Sequence, residues 1–282
     1  SKEISRNILM SKNSNIIALT MGDPSGVGTE IAIRAKIKKI KKPDFFIIHD
    51  IDFVKKILKK MKSKLKVREI SSPSEVKKLP KNYLAVLPIK ISKNTQLGKK
   101  NLSNVKSILA SIDLAVKLAK SGEVAAIVTN PINKDVIGKK VKNFKGHTEY
   151  LAKKDRTNDQ LMMMMNKNLK TIPLTTHIAI NKVSNKINKK NIIKAIINAE
   201  IILRKDFKIK KPRIAVTALN PHAGDGGLIG DDEKVKILPA IKYCKKKKIS
   251  VEGPLPADSA FIKNNQNKYD IFICMFHDQA LI

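Results

Sequence analysis

Histidine is scarce in this sequence, yet three of its five histidines directly follow apolar runs. His177 lies in "TTHIAI", His222 in "LNPHAGDGG" and His277 in "FHDQA". Ligands of α/β proteins bind at the carboxyl ends of parallel strands, so these positions suit a functional site. Three neutral imidazoles brought together by the fold could bind a divalent metal ion and leave positions open for a substrate. From the residues alone, histidines scattered over separate loops are the alternative.

The two other histidines have different surroundings. His147, in "GHTEYLA", opens a predicted helix, with Gly146 before it and Thr148 after it. His49, within "IIHD", lacks any such setting, and we predict that it is structural.

A glycine-rich stretch, "MGDPSGVG" (21–28), follows the first apolar run. Glycines before a helix resemble a phosphate-binding turn, because free backbone N–H groups point outward there. The spacing matches neither the Rossmann fingerprint nor the P-loop. A tight connection between a strand and a helix is the alternative.

Apolar runs of strand length alternate with segments of helical periodicity. The strands are predicted at 15–21, 44–50, 124–130, 161–166, 213–220 and 269–277, and the helices at 30–40, 51–62, 104–122, 189–207 and 232–248. Nearly continuous apolar strands between helices predict an α/β fold with a mainly parallel sheet covered on both faces. We predict that the four-methionine run within 161–166 belongs to a core strand.

The composition bounds the function. The formal charge of +33 comes from lysines in nearly every predicted helix, whereas arginine is scarce and tryptophan is absent. We therefore interpret the charge as solvated helix faces that could attract small anions, and nucleic-acid binding is a distant alternative. Two cysteines exclude a disulfide scaffold. No apolar run of about 18 residues is present, and the segment 1–15 lacks a signal-peptide core. We expect a cytoplasmic protein with no membrane association.

Seven stretches together resemble the 4-hydroxythreonine-4-phosphate dehydrogenase family of pyridoxal phosphate biosynthesis. In order and approximate spacing they are "MGDPSGVGTEI", "VTNPINK", "GHTEYLA", "TTHIAI", "LNPHAGDGGLIGDDE", "GPLPADSAF" and "FHDQA". The resemblance runs from about residue 15 to the end and implies a three-layer α/β/α architecture like that of isocitrate and isopropylmalate dehydrogenases. It also implies two domains and a homodimer with the active site in a cleft at the dimer interface. We expect a first domain of 15–128 plus 265–282, and a second of 129–264 that contains the interface.

The resemblance also implies the roles of individual residues. His177 and His222 would bind the metal ion together with His277 of the partner subunit. His147 and Thr148 would contact the substrate, and His147 could either bind its phosphate or transfer a proton. Asp258 is a further candidate because its carboxylate is expected to face the same cleft, with a turn or helix cap as the alternative. Asn220 and Asp278 are added as neighbours of the metal-binding histidines.

The implied reaction is oxidation of 4-hydroxythreonine 4-phosphate by NAD or NADP. The β-keto acid formed would lose carbon dioxide and give 3-amino-2-oxopropyl phosphate. One divalent ion per site is implied, which could be zinc, magnesium, manganese or cobalt, and nitrogen ligands favour the borderline metals. A paralogue that oxidises 4-phospho-threonate or 4-phospho-erythronate is the close alternative.

The sequence departs from the family in two respects. Thr29 stands where the family usually has proline. Family members also continue beyond "HDQALI" with residues that contact the substrate. We therefore expect this chain to be a fragment, in which the apolar strand at 271–276 lacks cover and presents an open edge.

Overall fold

A computed structural model describes residues 15–38, 43–157 and 160–281. The chain divides into two compact units, Ser1–Asp159 (unit 1) and Gln160–Ile282 (unit 2). No helix among the described residues is long and apolar enough to cross a membrane. Residues 1–14, which form most of the segment examined for a signal peptide, lie outside the described residues, as does the end of the helix predicted at 30–40.

Unit 1 is built on a parallel five-stranded sheet of order β3-β4-β2-β1-β5. Its strands are β1 (Ile17–Leu19), β2 (Phe45–His49), β3 (Lys66–Glu69), β4 (Tyr83–Pro88) and β5 (Ala126–Val128). Its helices are α1 (Gly28–Ile37), α2 (Ile51–Lys60), α3 (Val105–Lys120), α4 (Lys134–Gly138) and α5 (His147–Asp155), with short 3₁₀ turns at Pro73–Lys78 and Leu102–Asn104. Every residue of the central strand β2 is buried, as expected for an apolar strand covered on both faces.

Unit 2 contains a second five-stranded sheet, of order β6-β7-β10-β8-β9, in which only β6 is antiparallel. Its strands are β6 (Met164–Met165), β7 (Lys170–Thr175), β8 (Ile214–Thr217), β9 (Val251–Leu255) and β10 (Ile271–Phe276). Its helices are α6 (Val183–Lys186), α7 (Lys189–Lys205), α8 (Leu238–Lys246), α9 (Ala257–Ala260), α10 (Lys263–Lys268) and α11 (His277–Ala280). Further helical turns are at Ile180–Lys182 and Pro221–Gly227, and a π-turn at Glu233–Ile237 precedes α8. The α/β prediction is confirmed.

The predicted domain boundaries differ from the two units of the structure. Strand β10 lies between β7 and β8 in the sheet of unit 2, so the segment 265–282 does not belong with the N-terminal unit. The segment 129–159 belongs to unit 1 rather than to a second domain. The physical reason is that β10 is buried from Ile271 to Met275, and its backbone pairs along one edge with β7 and along the other with β8. The expectation that 271–276 presents an open edge is therefore wrong.

The prediction of a core strand at 161–166 is also wrong. Only Met164 and Met165 form a strand, and their side chains are 39% and 60% exposed. They pair at the edge of the sheet with β7, in a hairpin whose turn is closed by the Asn166 carboxamide accepting from the N–H groups of Asn168 and Leu169. Because this pair lies at the sheet edge, the apolar composition of the run does not lead to burial.

The glycine-rich turn of unit 1 is a close-packed connection. Gly22 has φ +71°, and a Cβ there would lie 2.7 Å from both Asn130 Cβ and the Pro131 carbonyl oxygen. Asn130 in turn donates from its amide to the Thr20 carbonyl at 3.0 Å. The backbone therefore requires glycine for close approach, and these contacts favour the tight-connection alternative over a phosphate-binding turn.

His49 is structural, as the sequence predicts. Its ring is fully buried, and the Asp50 N–H donates to Nδ1 at 2.7 Å. Since Nδ1 accepts, Nε2 carries the proton and donates to Thr29 Oγ1 at 2.9 Å. Burial lowers the pKa of His49 to about 4, more than the nearby Asp50 raises it. The ring is therefore neutral near pH 7.

Candidate functional site: a histidine pair at the carboxyl edge of the second sheet

Two of the predicted metal-binding histidines meet in unit 2. Strands β7 and β10 are parallel neighbours, and their ladder runs to the pair Thr175 and Phe276. The residues that follow each strand therefore leave the sheet side by side. The rings of His177 and His277 lie 5.7 Å apart, centroid to centroid, at a cavity of about 230 Å³.

The local geometry of both histidines fits a role as metal ligands. Nδ1 of His277 lies 2.8 Å from the Asp278 carboxylate, which leaves Nε2 as the nitrogen free to bind an ion. A carboxylate that holds one ring nitrogen commonly orients a metal-binding histidine. His177 has φ +52°, in the left-handed region, and such strain in a non-glycine residue concentrates at functional sites. The pair thus fits two ligand positions of a divalent-ion site, and Asp278 supports one of them.

The third candidate, His222, stands apart from this pair. It lies exposed in the turn Pro221–Gly227 after β8, where residues 222–226 all have positive φ. Within the described ranges of the chain, no group of three or more histidine, cysteine or acidic side chains is arranged to hold a metal ion. One chain therefore brings together two of the three predicted ligands.

A buried carboxylate anchors the turn that carries His222. Glu233 Oε1 accepts from the N–H groups of Leu219 and Asn220, both at 2.8 Å, and Oε2 accepts from the Asn220 carboxamide at 3.0 Å. A Cβ on Gly224 would lie 2.7 Å from Glu233 Oε2, so glycine is needed where the turn passes the carboxylate. Asn220, predicted as a site residue, thus holds the turn in the structure.

Asp232 connects the same turn to the segment after His177. Its carboxylate accepts from Ser184 Oγ at 2.6 Å and from the ammonium of Lys236. Burial acts to raise the pKa of Asp232, but hydrogen bonds from Lys236, Ser184 and Asn220 outweigh burial and lower it. Neither Asp232 nor Glu233 was predicted, although the acidic "DDE" after the glycine run was a visible signal.

The predicted substrate contacts lie in unit 1. His147 and Thr148 form the first turn of α5, and His147 Nε2 is buried without a hydrogen-bond partner among the described residues. Burial lowers the pKa of His147, and the positive charge of Lys134 lowers it further. A neutral imidazole with one unpaired nitrogen can accept a proton or bind a polar group of a ligand.

Helix α5 is held in place by its neighbour α3. The Tyr150 hydroxyl donates to Asp113 Oδ1 at 2.9 Å, and the Lys154 ammonium donates to Oδ2 at 2.6 Å. Asp113 therefore fixes the helix whose first turn carries His147.

Asp258 has a local partner. Its carboxylate is exposed and accepts from the Ser259 N–H at 2.8 Å within α9, which contacts the turn Pro221–Gly227. Asp258 lies within the first turn of α9 rather than at its N-cap, which is Pro256, and a role in the cleft stays a prediction.

A larger cavity, of about 1290 Å³, lies at the amino ends of β2, β3 and β4 in unit 1. Its described lining contains several lysines but neither histidine nor cysteine. Lysines at the ends of α1 and α2 are explained by the negative helix termini there. The smaller cavity beside His177 and His277 is therefore the candidate functional site.

The chain resembles known proteins over most of its length. A family model described as "Pyridoxal phosphate biosynthetic protein PdxA" matches residues 41–282. A 4-hydroxythreonine-4-phosphate dehydrogenase of Aquifex aeolicus is 36% identical over 272 residues, which cover 94% of this chain and 81% of the relative. The enzyme of that name from Caulobacter vibrioides is 35% identical over 276 residues, covering 95% and 82%.

A solved structure shows the same likeness. The crystal structure of 4-hydroxythreonine-4-phosphate dehydrogenase from Klebsiella pneumoniae superposes with a TM-score of 0.89 at 32% identity, covering 95% of this chain and 83% of that one. The fold and these relatives define a dehydrogenase, an oxidoreductase that uses a nicotinamide cofactor. The chain belongs to the PdxA family of pyridoxal phosphate biosynthesis.

Proposed function

We propose that this chain oxidises the C3 hydroxyl of 4-hydroxythreonine 4-phosphate, with NAD or NADP as the oxidant. The relatives that carry this activity in their names match the chain over nearly its whole described length. The observation that carries the proposal in the structure is the pair His177 and His277, at the strand ends where an α/β enzyme binds its ligands.

The metal-binding residues are His177 and His277 of one chain with the partner subunit's His222. This division is supported by the closeness of the first two within one chain. It is also supported by the finding that no group of three or more possible ligands is arranged to hold a metal ion among the described residues. It differs from the expectation that His277 of the partner subunit completes the site. Imidazole ligands favour zinc or cobalt over magnesium.

The reaction needs a hydride acceptor and stabilisation of negative charge. A nicotinamide cofactor would supply the hydride acceptor, and a divalent ion held by the three histidines would supply positive charge to stabilise the negative charge that develops on oxygen. The residues of this chain orient the metal-binding ring and interact with the substrate. Asp278 holds the ring of His277, and neutral His147 is available to bind the phosphate or accept the proton.

The proposal also covers the oligomeric state, the class of ligand and the cellular compartment. We propose a homodimer with shared sites, a phosphorylated small molecule as ligand, and the cytoplasm as compartment. Both cysteines are free and buried, as suits a reducing environment. Burial raises the pKa of Cys244 to about 11, and its effect is larger than that of nearby Glu200, while burial alone raises that of Cys274 to about 12. Neither thiol is therefore poised as a nucleophile.

Turnover of purified substrates tests the proposal. The chain should reduce NAD or NADP with 4-hydroxythreonine 4-phosphate, and much less with 4-phospho-threonate or 4-phospho-erythronate. Turnover of one of the latter two alone would assign the chain to the paralogous activity.

A further inference from the structure

Gln279 is a buried amide whose side chain bridges two strands of unit 2. It is only 5% exposed. Its Oε1 accepts from Thr217 Oγ1 and from the Met275 N–H, both at 2.9 Å, and its Nε2 donates to the Ala218 carbonyl at 2.8 Å. Because the Met275 N–H can only donate and the Ala218 carbonyl can only accept, the orientation of the amide is determined.

These bonds lie where strand pairing stops. The ladder between β10 and β8 ends at the pair Ile273 and Val216, whereas the ladder between β10 and β7 continues to Phe276. Backbone pairing therefore holds the His177 side of the site. On the other side, beyond Val216, the Gln279 amide links β10 to the end of β8 through its bonds to Met275, Thr217 and Ala218.

Gln279 lies close in sequence to His277, and it bonds to a residue close before His222. His277 lies two residues before it in the same short helix α11, and Ala218 lies four residues before His222. One side chain thus holds the turn that carries His277 against the strand end that leads to the His222 turn. Removing it would leave buried donors and acceptors on both elements without partners, which is costly inside a protein.

We propose that Gln279 is a positioning residue for metal binding, and that Thr217 acts with it. The inference rests on the proposed function, because it assumes that the histidine pair binds a metal ion. Gln279 does not touch the ion. It holds the backbone of α11 so that the His277 ring faces His177.

The test compares two ways of weakening the bridge. Gln279→Leu removes the amide, and Thr217→Val removes one hydroxyl donor without changing side-chain size. Thr217→Ser keeps the hydroxyl and should rescue. The matched control is Thr95→Val in unit 1, where a buried threonine hydroxyl likewise bonds to a side-chain amide oxygen, that of Asn104, at 3.1 Å.

The readout is the dissociation constant for cobalt(II), followed by the visible absorption of the bound ion, alongside the thermal unfolding midpoint. We expect Gln279→Leu and Thr217→Val to weaken cobalt binding by about 10-fold and to alter the spectrum, as changes beside metal-binding histidines do. Thr217→Ser keeps the hydroxyl, so its cobalt affinity and spectrum should match those of the unchanged chain. Thr95→Val should lower the midpoint without changing cobalt affinity.

The outcomes separate the two hypotheses. Cobalt affinity that is unchanged in Thr217→Val, while the unchanged chain binds cobalt, overturns the positioning role and leaves the proposed function standing. Absence of cobalt binding by the unchanged chain overturns the metal site and this inference with it. If Gln279→Leu does not fold, the comparison of Thr217→Val with Thr217→Ser decides.

Discussion

The rings of His177 and His277 lie 5.7 Å apart within a single chain. They are neighbours because β7 and β10 are parallel and their pairing runs to Thr175 and Phe276, close before the two histidines. The pairing of β7 with β10 thus brings His177 and His277 together within one chain. His222, on the turn after β8, is the ligand that we propose comes from the partner subunit.

Subunit mixing tests this division of ligands. Inactive His177→Ala and His222→Ala chains should restore activity when mixed, because a heterodimer would contain one site with all three histidines. Random exchange makes about half of the dimers heterodimers, so recovery should approach roughly a quarter of the normal number of sites. Mixed His177→Ala and His277→Ala chains should recover no activity. In their heterodimer each site takes both His177 and His277 from one chain, and each chain has lost one of the two. Activity is measured after subunit exchange has been shown by mass spectrometry.

The opposite pattern would contradict the division. Recovery with His177→Ala and His277→Ala, and none with His177→Ala and His222→Ala, would place His277 of the partner subunit in the site.

His147 should respond to the charge of Lys134. Burial and Lys134 both lower the pKa of His147. Lys134→Met removes the positive charge, so the pKa of His147 should rise, as followed by NMR titration of the imidazole protons. Lys139→Met, which removes a charge from the nearby end of α4, is the control and should change the pKa less. Equal shifts in both variants would show that general charge, rather than Lys134, acts on the ring.

His49 should make the stability of unit 1 depend on pH. The pKa of His49 is about 4 in the folded chain, below the ordinary value of 6.5 that the unfolded chain has, so the unfolded state binds more protons between these limits. Stability should therefore fall as the pH drops from about 6.5 to about 4, by at most ~3 kcal/mol. Chemical unfolding of the chain and of His49→Gln, which does not titrate, isolates this contribution. Parallel stability curves for the two proteins over that range would contradict it.

Thr29 should stabilise the fold through His49. The Asp50 N–H fixes the tautomer of His49, so its Nε2–H needs the Thr29 hydroxyl as acceptor. Thr29→Val should lower the free energy of unfolding by about 1–3 kcal/mol at pH 7, because a buried donor is left unpaired. Thr29→Ser keeps the acceptor and should lose less. A Val variant as stable as the unchanged chain would show that the hydroxyl contributes nothing.

The sequence predicts the alternation of strands and helices well because it depends on local apolar periodicity. Strands β1, β2, β5, β8 and β10 and the long helices α3 and α7 lie where the pattern places them. Strands β3, β4, β7 and β9 were not predicted, and Pro173 interrupts the sequence of β7. The position of β10 between β7 and β8 depends on pairing between distant segments, which a local pattern does not contain.

The site could be predicted in part for the same reason. Scarce histidines at strand ends are visible in the sequence, and the structure brings two of them together. The grouping of His177 with His277 follows from strand order. The buried supports Glu233 and Gln279 act through backbone groups of other segments, so their roles emerge only from three-dimensional contacts.

Metal dependence of NAD or NADP reduction tests the central claim most directly. The chain is stripped of metal with a chelator, its metal content is measured, and turnover of 4-hydroxythreonine 4-phosphate is followed by absorbance before and after addition of zinc, manganese, cobalt or magnesium. We predict that the stripped chain is inactive, that a borderline metal restores turnover, and that folded His222→Ala is not restored. Full turnover by the metal-free chain, or by His222→Ala, would contradict a reaction that depends on a metal ion bound by His177, His222 and His277.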